Sequence, residues 1–140
     1  KRQAVTAAET GQLIFSTLHT LGASNAIDRI VDVFPQNQQY QIRVQLSMVL
    51  QAVVSQQLIP SIDGTLVPTF EILLVNSAIR HMIREAKTHQ IDNTISANAA
   101  IGMLSMDSDL LRLYREGIIS KENALTYCTN VELMNKKLSM

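Results

Sequence analysis

Apolar residues along this chain fall first at helical and then at strand spacing, and each change of period marks an element boundary. Val5-Thr6-Ala7-Ala8 reads as the tail of a helix ending at Gly11, and the compact β-prone run Leu13-Ile14-Phe15 opens a strand over Leu13 to Leu18. That strand delivers small polar groups, Ser16-Thr17-Leu18-His19-Thr20, at its carboxyl end. Gly22-Ala23-Ser24-Asn25 is a loop, with Ser24 or Asn25 as N-cap of a helix over Ala26 to Phe34. In that helix Ile27, Ile30, Val31 and Phe34 share one face, and Pro35 stops it. A longer helix begins at Asn37 or Gln38, with Ile42, Leu46, Val49, Leu50, Val53 and Val54 as its core stripe.

Around Gln57 the period becomes extended. Leu58-Ile59-Pro60 and Thr65 to Val75 flank the hairpin signal Asp63-Gly64, and Pro68 demands an edge position or a bulge. Asn76 or Ser77 caps a helix with Ile79, Met82, Ile83 and Ala86 facing inward and Arg80, Arg84 and Lys87 on the opposite side. Short helices follow near Thr88 to Ser96, Met106 to Glu116, Lys121 to Cys128 and Val131 to Lys137, broken at Gly117 and Thr129-Asn130. The expected chain is α/β and mostly helical, with sheet elements in residues 1–75 and an all-helical region in 76–140.

Composition adds limits. Hydrophobic residues make up 46% but aromatics only 4%, without Trp, so aliphatic side chains and Met must fill the core. Twelve basic and twelve acidic residues balance, which argues against a broad electrostatic footprint for nucleic acid or anionic membrane. One cysteine, Cys128, cannot form an internal disulfide, and no Cys/His cluster has zinc spacing, as expected of a reducing cytoplasm. Apolar runs fall far short of the ~20 residues that span a bilayer, and Lys1-Arg2-Gln3 leads into no signal-like segment. A lone strand needs partners for its backbone and both faces, and Lys1 is no start methionine. The chain is therefore expected to be a fragment of a larger protein.

Phosphate cradling by a P-loop needs a glycine-rich turn ending in Gly-Lys-Ser/Thr. The five glycines here are followed by Gln, Ala, Thr, Met and Ile, and the apolar run Ile72 to Val75 ends in Asn76 rather than an acid. Both Walker motifs are absent, so the chain alone should not hydrolyse ATP. A metal site is not expected from His19, His81 and His89, and Cys128 reads as a small buried apolar group. His19 itself has two readings: a satisfied histidine at a strand end, or a ligand-facing one, because ligands of open α/β sheets bind at such ends. Asp28 and Arg29 lie on a helix face that is solvated or borders another subunit. Arg80 and Arg84, one turn apart, repel mildly, so an acidic group such as Glu85 or a partner should offset them.

Four stretches together resemble one family. A-E-T-G-x-L-x-F-x-T-L-H-T with I-D-R-I-V-D-V-F-P, then Val49 to Leu58, then Ala78-Ile79-Arg80-His81-Met82-Ile83-Arg84-Glu85, then Gly102-Met103-Leu104-Ser105-Met106-Asp107 are similar to the type IV pilus retraction ATPases of the secretion ATPase superfamily. They occur in the family's order and cover nearly all of the chain. The resemblance implies part of a RecA-like P-loop ATPase sheet followed by an all-helical C-terminal region. It implies His19 as the catalytic, nucleotide-sensing residue of a His box, with Glu9, Thr10, Gln12, Thr17 and Thr20 near the nucleotide. Gln12 stands where the family has a second histidine, and His81 where it usually has Asn. Ala78, Ile79, Arg80, Ile83, Arg84 and Glu85 correspond to the motif that couples hydrolysis to retraction.

By the same resemblance, the parent would be a cytoplasmic hexamer using ATP and Mg, peripheral at the inner face of the membrane and acting on pilus-base proteins. No nucleotide is expected on the chain alone, which could pair with another copy through Leu13 to Leu18 and Ile27 to Phe34. The alternative is a non-catalytic helical interaction module whose arginine face docks an acidic partner.

Overall fold

A computed structural model describes residues 2–140; Lys1 lies outside the described residues. Among them the chain forms eight α-helices, two 3₁₀ turns and one two-stranded antiparallel sheet. Helix α1 (Arg2–Glu9) ends in a turn whose Gly11 has φ 90°. Helices α2 (Ala23–Asp32) and α3 (Gln36–Val49) follow, separated by Pro35, which fixes the N-terminus of α3. Strands β1 (Ala52–Pro60) and β2 (Leu66–Leu74) pair in continuous register from Ala52 opposite Leu74 to Pro60 opposite Leu66. Pro68 sits opposite Leu58 without a bulge, tolerated because alternate β2 nitrogens, those of Phe70 and Ile72 among them, face away from β1, so Pro68 removes no ladder bond.

Helix α4 (Ser77–Arg84) starts where the Asn76 side chain accepts the Ile79 N–H at 3.0 Å. A 3₁₀ turn (Thr88–Gln90) leads into α5 (Ile91–Ala97), and a second (Ala99–Ile101) precedes Leu104, which bridges to Ile72 of β2. Helices α6 (Met106–Arg115), α7 (Lys121–Tyr127) and α8 (Val131–Leu138) complete the chain. Each has a side-chain N-cap: Ser105 accepts from Ser108 N–H, Ser120 from Asn123 N–H and Asn130 from Leu133 N–H. These caps and Gly117 put the helix bounds close to those read from the sequence.

Burial is concentrated in two apolar clusters. One joins Ile27 and Val31 of α2, Ile42 and Leu46 of α3, Leu73 of β2, Ile79 and Ile83 of α4, and Ile91, Ile95 and Met103. The other joins Ile59 of β1 with Met106, Leu110, Leu113, Ile119, Ala124, Met134 and Leu138. Both draw residues from either side of Val75, where secondary structure changes but packing is continuous.

Five expectations are corrected. Leu13 to Leu18 has no regular secondary structure and forms no strand, because no neighbour supplies its ladder; Leu13 is 79% and Phe15 88% exposed. Helix α2 begins at Ala23, ahead of Ser24 and Asn25, because its cap comes from elsewhere in the fold: the Glu71 carboxylate accepts the Ala23 N–H at 2.9 Å. Helix α3 stops at Val49, and Val53 and Val54 lie in β1, where cross-strand pairing with Leu73 and Ile72 overrides their helical spacing. The face Ile27 to Phe34 is buried in the first cluster and offers no surface to another copy, and Ala86 is exposed beyond the end of α4.

Candidate functional site

The irregular segment Gln12 to Leu18 carries its polar residues to a bend at His19, followed by Gly22 and the N-terminus of α2. His19 is exposed. With Thr17, Leu18 and Arg29 it bounds an open hollow of about 290 Å³. Arg29 reaches this hollow from the second turn of α2, so the fold sets an imidazole, a hydroxyl and a guanidinium around one space. That donor set suits an anion. The strand-end position points to His19 and the family resemblance to Thr17; Arg29 reads only as a solvated or subunit-facing residue of its helix, and nothing in the sequence ties it to His19, ten positions before it.

The other residues of the stretch divide. Thr20, Gln12 and Glu9 line an adjoining groove of about 1160 Å³ that shares Thr17 and Leu18 with the hollow and is also lined by Gln12 to Ser16 and Met48 to Gln56. Thr10 closes α1, its hydroxyl donating to the Ala7 carbonyl at 2.8 Å. Glu9 accepts a long hydrogen bond from Gln45 Nε2 at 3.5 Å, and the Gln12 backbone N–H donates to the Ala7 carbonyl. Asp28 accepts from the Thr88 hydroxyl at 2.8 Å and holds α2 to the turn before α5.

On α4, Ile79 and Ile83 are fully buried and Ala78 is exposed. Arg80 is turned onto the end of α3: its Nη1 donates to the Ser47 carbonyl, to Met48 O at 3.1 Å and to Leu50 O at 3.4 Å. The partner that relieves its charge is thus the negative end of a helix rather than an acid. Arg84 and Glu85 join no ion pair among the described residues. Met48 and Leu50, which Arg80 grips, also line the groove with Gln12 to Leu18. This links α4 physically to the polar segment.

Among the described residues no group of three or more His, Cys, Asp and Glu side chains could hold a metal ion, and no helix is long and apolar enough to cross a membrane. The half-buried Cys128 thiol is pushed up by burial and then by the nearby Asp107 carboxylate. A raised thiol is a poor nucleophile.

A family profile described as "Type II/IV secretion system protein" matches residues 2–123. The chain belongs to that family. Within it, the chain is 47% identical over 133 residues to a twitching motility protein of Neisseria gonorrhoeae, covering 94% of this chain and 36% of that relative. It is also 47% identical over 123 residues to the type IV pilus retraction ATPase PilT of Pseudomonas aeruginosa, covering 88% and 36%. Among solved structures, the pilus retraction motor PilT with bound ADP superposes with a TM-score of 0.84 at 41% identity, over 96% of this chain and 38% of that one. The ATPase DotB of Legionella pneumophila, at 22% identity and TM-score 0.71, shares the fold. The resemblance to the retraction branch of secretion ATPases therefore holds, and the chain spans about a third of the length of these relatives.

Proposed function

We propose that this family member is the C-terminal part of a hexameric, cytoplasmic ATPase that drives type IV pilus retraction from the inner face of the membrane. Residues 1–75 complete a RecA-like core and 76–140 form the helical region that engages pilus-base proteins. The observation that carries this reading is the likeness, over 96% of the chain, to a retraction motor solved with ADP. The groove supports it further. The unpaired segment Leu13 to Leu18 and the free edge of β1 line one cleft, the shape left when strands between two members of a sheet come from elsewhere in a polypeptide.

The residues present suit one side of a nucleotide. No glycine is followed by Lys-Ser or Lys-Thr, so the triphosphate cradle and the magnesium ligands have no counterpart in this chain. His19, Thr17 and Arg29 offer donors of the kind that contact a terminal phosphate, whose hydrolysis supplies the work of retraction when ATP is bound. Glu9, Thr10, Gln12 and Thr20 shape the segment that presents them. Arg80 holds α4 to the end of α3, so displacement of the groove wall reaches the helix carrying Arg84 and Glu85.

In the full-length protein, His19→Ala is expected to lower ATP turnover at least tenfold, about 1.4 kcal/mol of transition-state stabilisation. Retained turnover would remove His19 from the chemistry. Arg80→Ala is expected to leave most ATP turnover and abolish twitching; equal loss of both would sink the coupling role.

A further inference from the structure

The inner face of the hairpin is polar at its middle. Its facing pairs run Val53 with Leu73, Ser55 with Glu71, Gln57 with Thr69, and Ile59 with Val67. The first pair packs in one apolar cluster and the last in the other, so a polar belt separates the two. In this belt Glu71 is only 6% exposed, and no cation among the described residues pairs with it. A buried carboxylate without a counter-ion is costly unless its oxygens are hydrogen-bonded.

Each oxygen takes a backbone N–H from a different helix. Oε1 accepts from Ala23, the first residue of α2, at 2.9 Å; Oε2 accepts from Met106, the first residue of α6, at 3.3 Å. Each helix N-terminus carries roughly half a positive charge, so together they match one carboxylate. The chain leading from His19 enters the same belt: the Gly22 N–H donates to Ser55 Oγ at 2.9 Å, and Gly22 has φ 91° with the Glu71 oxygen 3.7 Å from where a Cβ would stand.

We propose that Glu71 is a coupling joint between the His19 loop and the C-terminal helices, passing displacement of residues 17–22 to the first turn of α6. The two oxygens of one planar carboxylate cannot move independently, so a shift of α2's first turn either carries α6's first turn with it or breaks a hydrogen bond. What α6 receives, α7 and α8 share: the Asp107 carboxylate accepts the Thr129 and Asn130 N–H groups at 2.7 and 3.0 Å. The use of this joint in a motor rests on the function proposed above; the joint itself does not.

Residue-resolved amide hydrogen exchange on this chain tests it. Ser55→Ala is the perturbation, because it removes the acceptor of the Gly22 N–H and Ser55 bonds no atom of α6. Exchange is expected to speed about tenfold at Ala23 and at Met106 together, and in a Glu71→Gln background the effect of Ser55→Ala should reach Ala23 and stop there. An effect of Ser55→Ala confined to α2 in the native background overturns the joint and leaves Glu71 a static anchor. Protection at Ile83 and Leu110, one in each cluster, reports folding. If Glu71→Gln loses that protection, Glu71→Asp, charged but too short to reach both N–H groups, replaces it with the same two outcomes. Nucleotide turnover does not enter this measurement. Failure of His19→Ala to slow ATP hydrolysis would remove the nucleotide reading alone, and silence at Met106 would remove the joint alone.

Discussion

At the tip of the hairpin, the Asp63 carboxylate accepts the Ser61 hydroxyl, the Thr65 hydroxyl at 2.7 Å and the Thr65 N–H at 3.0 Å. These bonds, the Ser61 hydroxyl first, lower its pKa from 3.8 to about 2. A depressed folded-state pKa favours the charged form in the folded chain, so its contribution is complete above 3.8 and lost as pH falls through about 2. A carboxyl titration by NMR should place the Asp63 midpoint near 2; a midpoint at the ordinary value would mean that the turn is open in solution. Ala86, just past α4, sits at φ 58°, where a side chain is strained. Ala86→Gly should raise stability by about 0.5–1 kcal/mol, read from the denaturant midpoint. The Asp63-Gly64 turn was legible because its chemistry is local, whereas the strain at Ala86 was hidden by an alanine that fits helical spacing.

Among the elements, α4 divides its positions between two faces. Ile79 and Ile83 fill the first cluster, and Arg80 closes α3. Arg80→Ala should cost about 1–3 kcal/mol by leaving helix-end carbonyls unmet, and Arg80→Lys should restore part, since the three bonds come from one nitrogen and an ammonium carries three donors on a shorter stem. Chemical denaturation checks both, and it sets the fold control for any twitching assay. Asp109 pins α6 in a similar way: its Oδ2 accepts from the Thr69 hydroxyl at 2.8 Å and the Phe70 N–H at 2.9 Å, while its Oδ1 takes Arg112. Every helix from α4 onward could be placed from caps and apolar spacing, because those signals lie within a few residues. The partner of Arg80 could not, because it lies more than a full helix away in sequence and consists of backbone carbonyls, which carry no residue-type signal.

Taken whole, the molecule leaves apolar surface in the open. Leu13 and Phe15 project from an unpaired segment, and the outer face of the hairpin exposes Val54, Leu58 and Leu66. Patches of this kind drive association. The 140-residue chain is expected to self-associate in solution, and Leu13→Asp with Phe15→Asp to shift it toward monomer by light scattering; an unchanged monomer would show the segment folded back on its own groove. The sequence by itself determined the helices from α4 onward, the Asp63-Gly64 turn, the apolar face of α2 and the family resemblance, because periodicity, caps and turn residues act over short range. Tertiary structure alone decided that Leu13 to Leu18 lacks a ladder, that Val53 and Val54 join a strand, that Arg29 stands beside His19, and that Glu71 caps two helices at once. Each of those depends on what lies across space from a residue, and hydrogen-bond partners far apart in the chain leave no periodic trace in it.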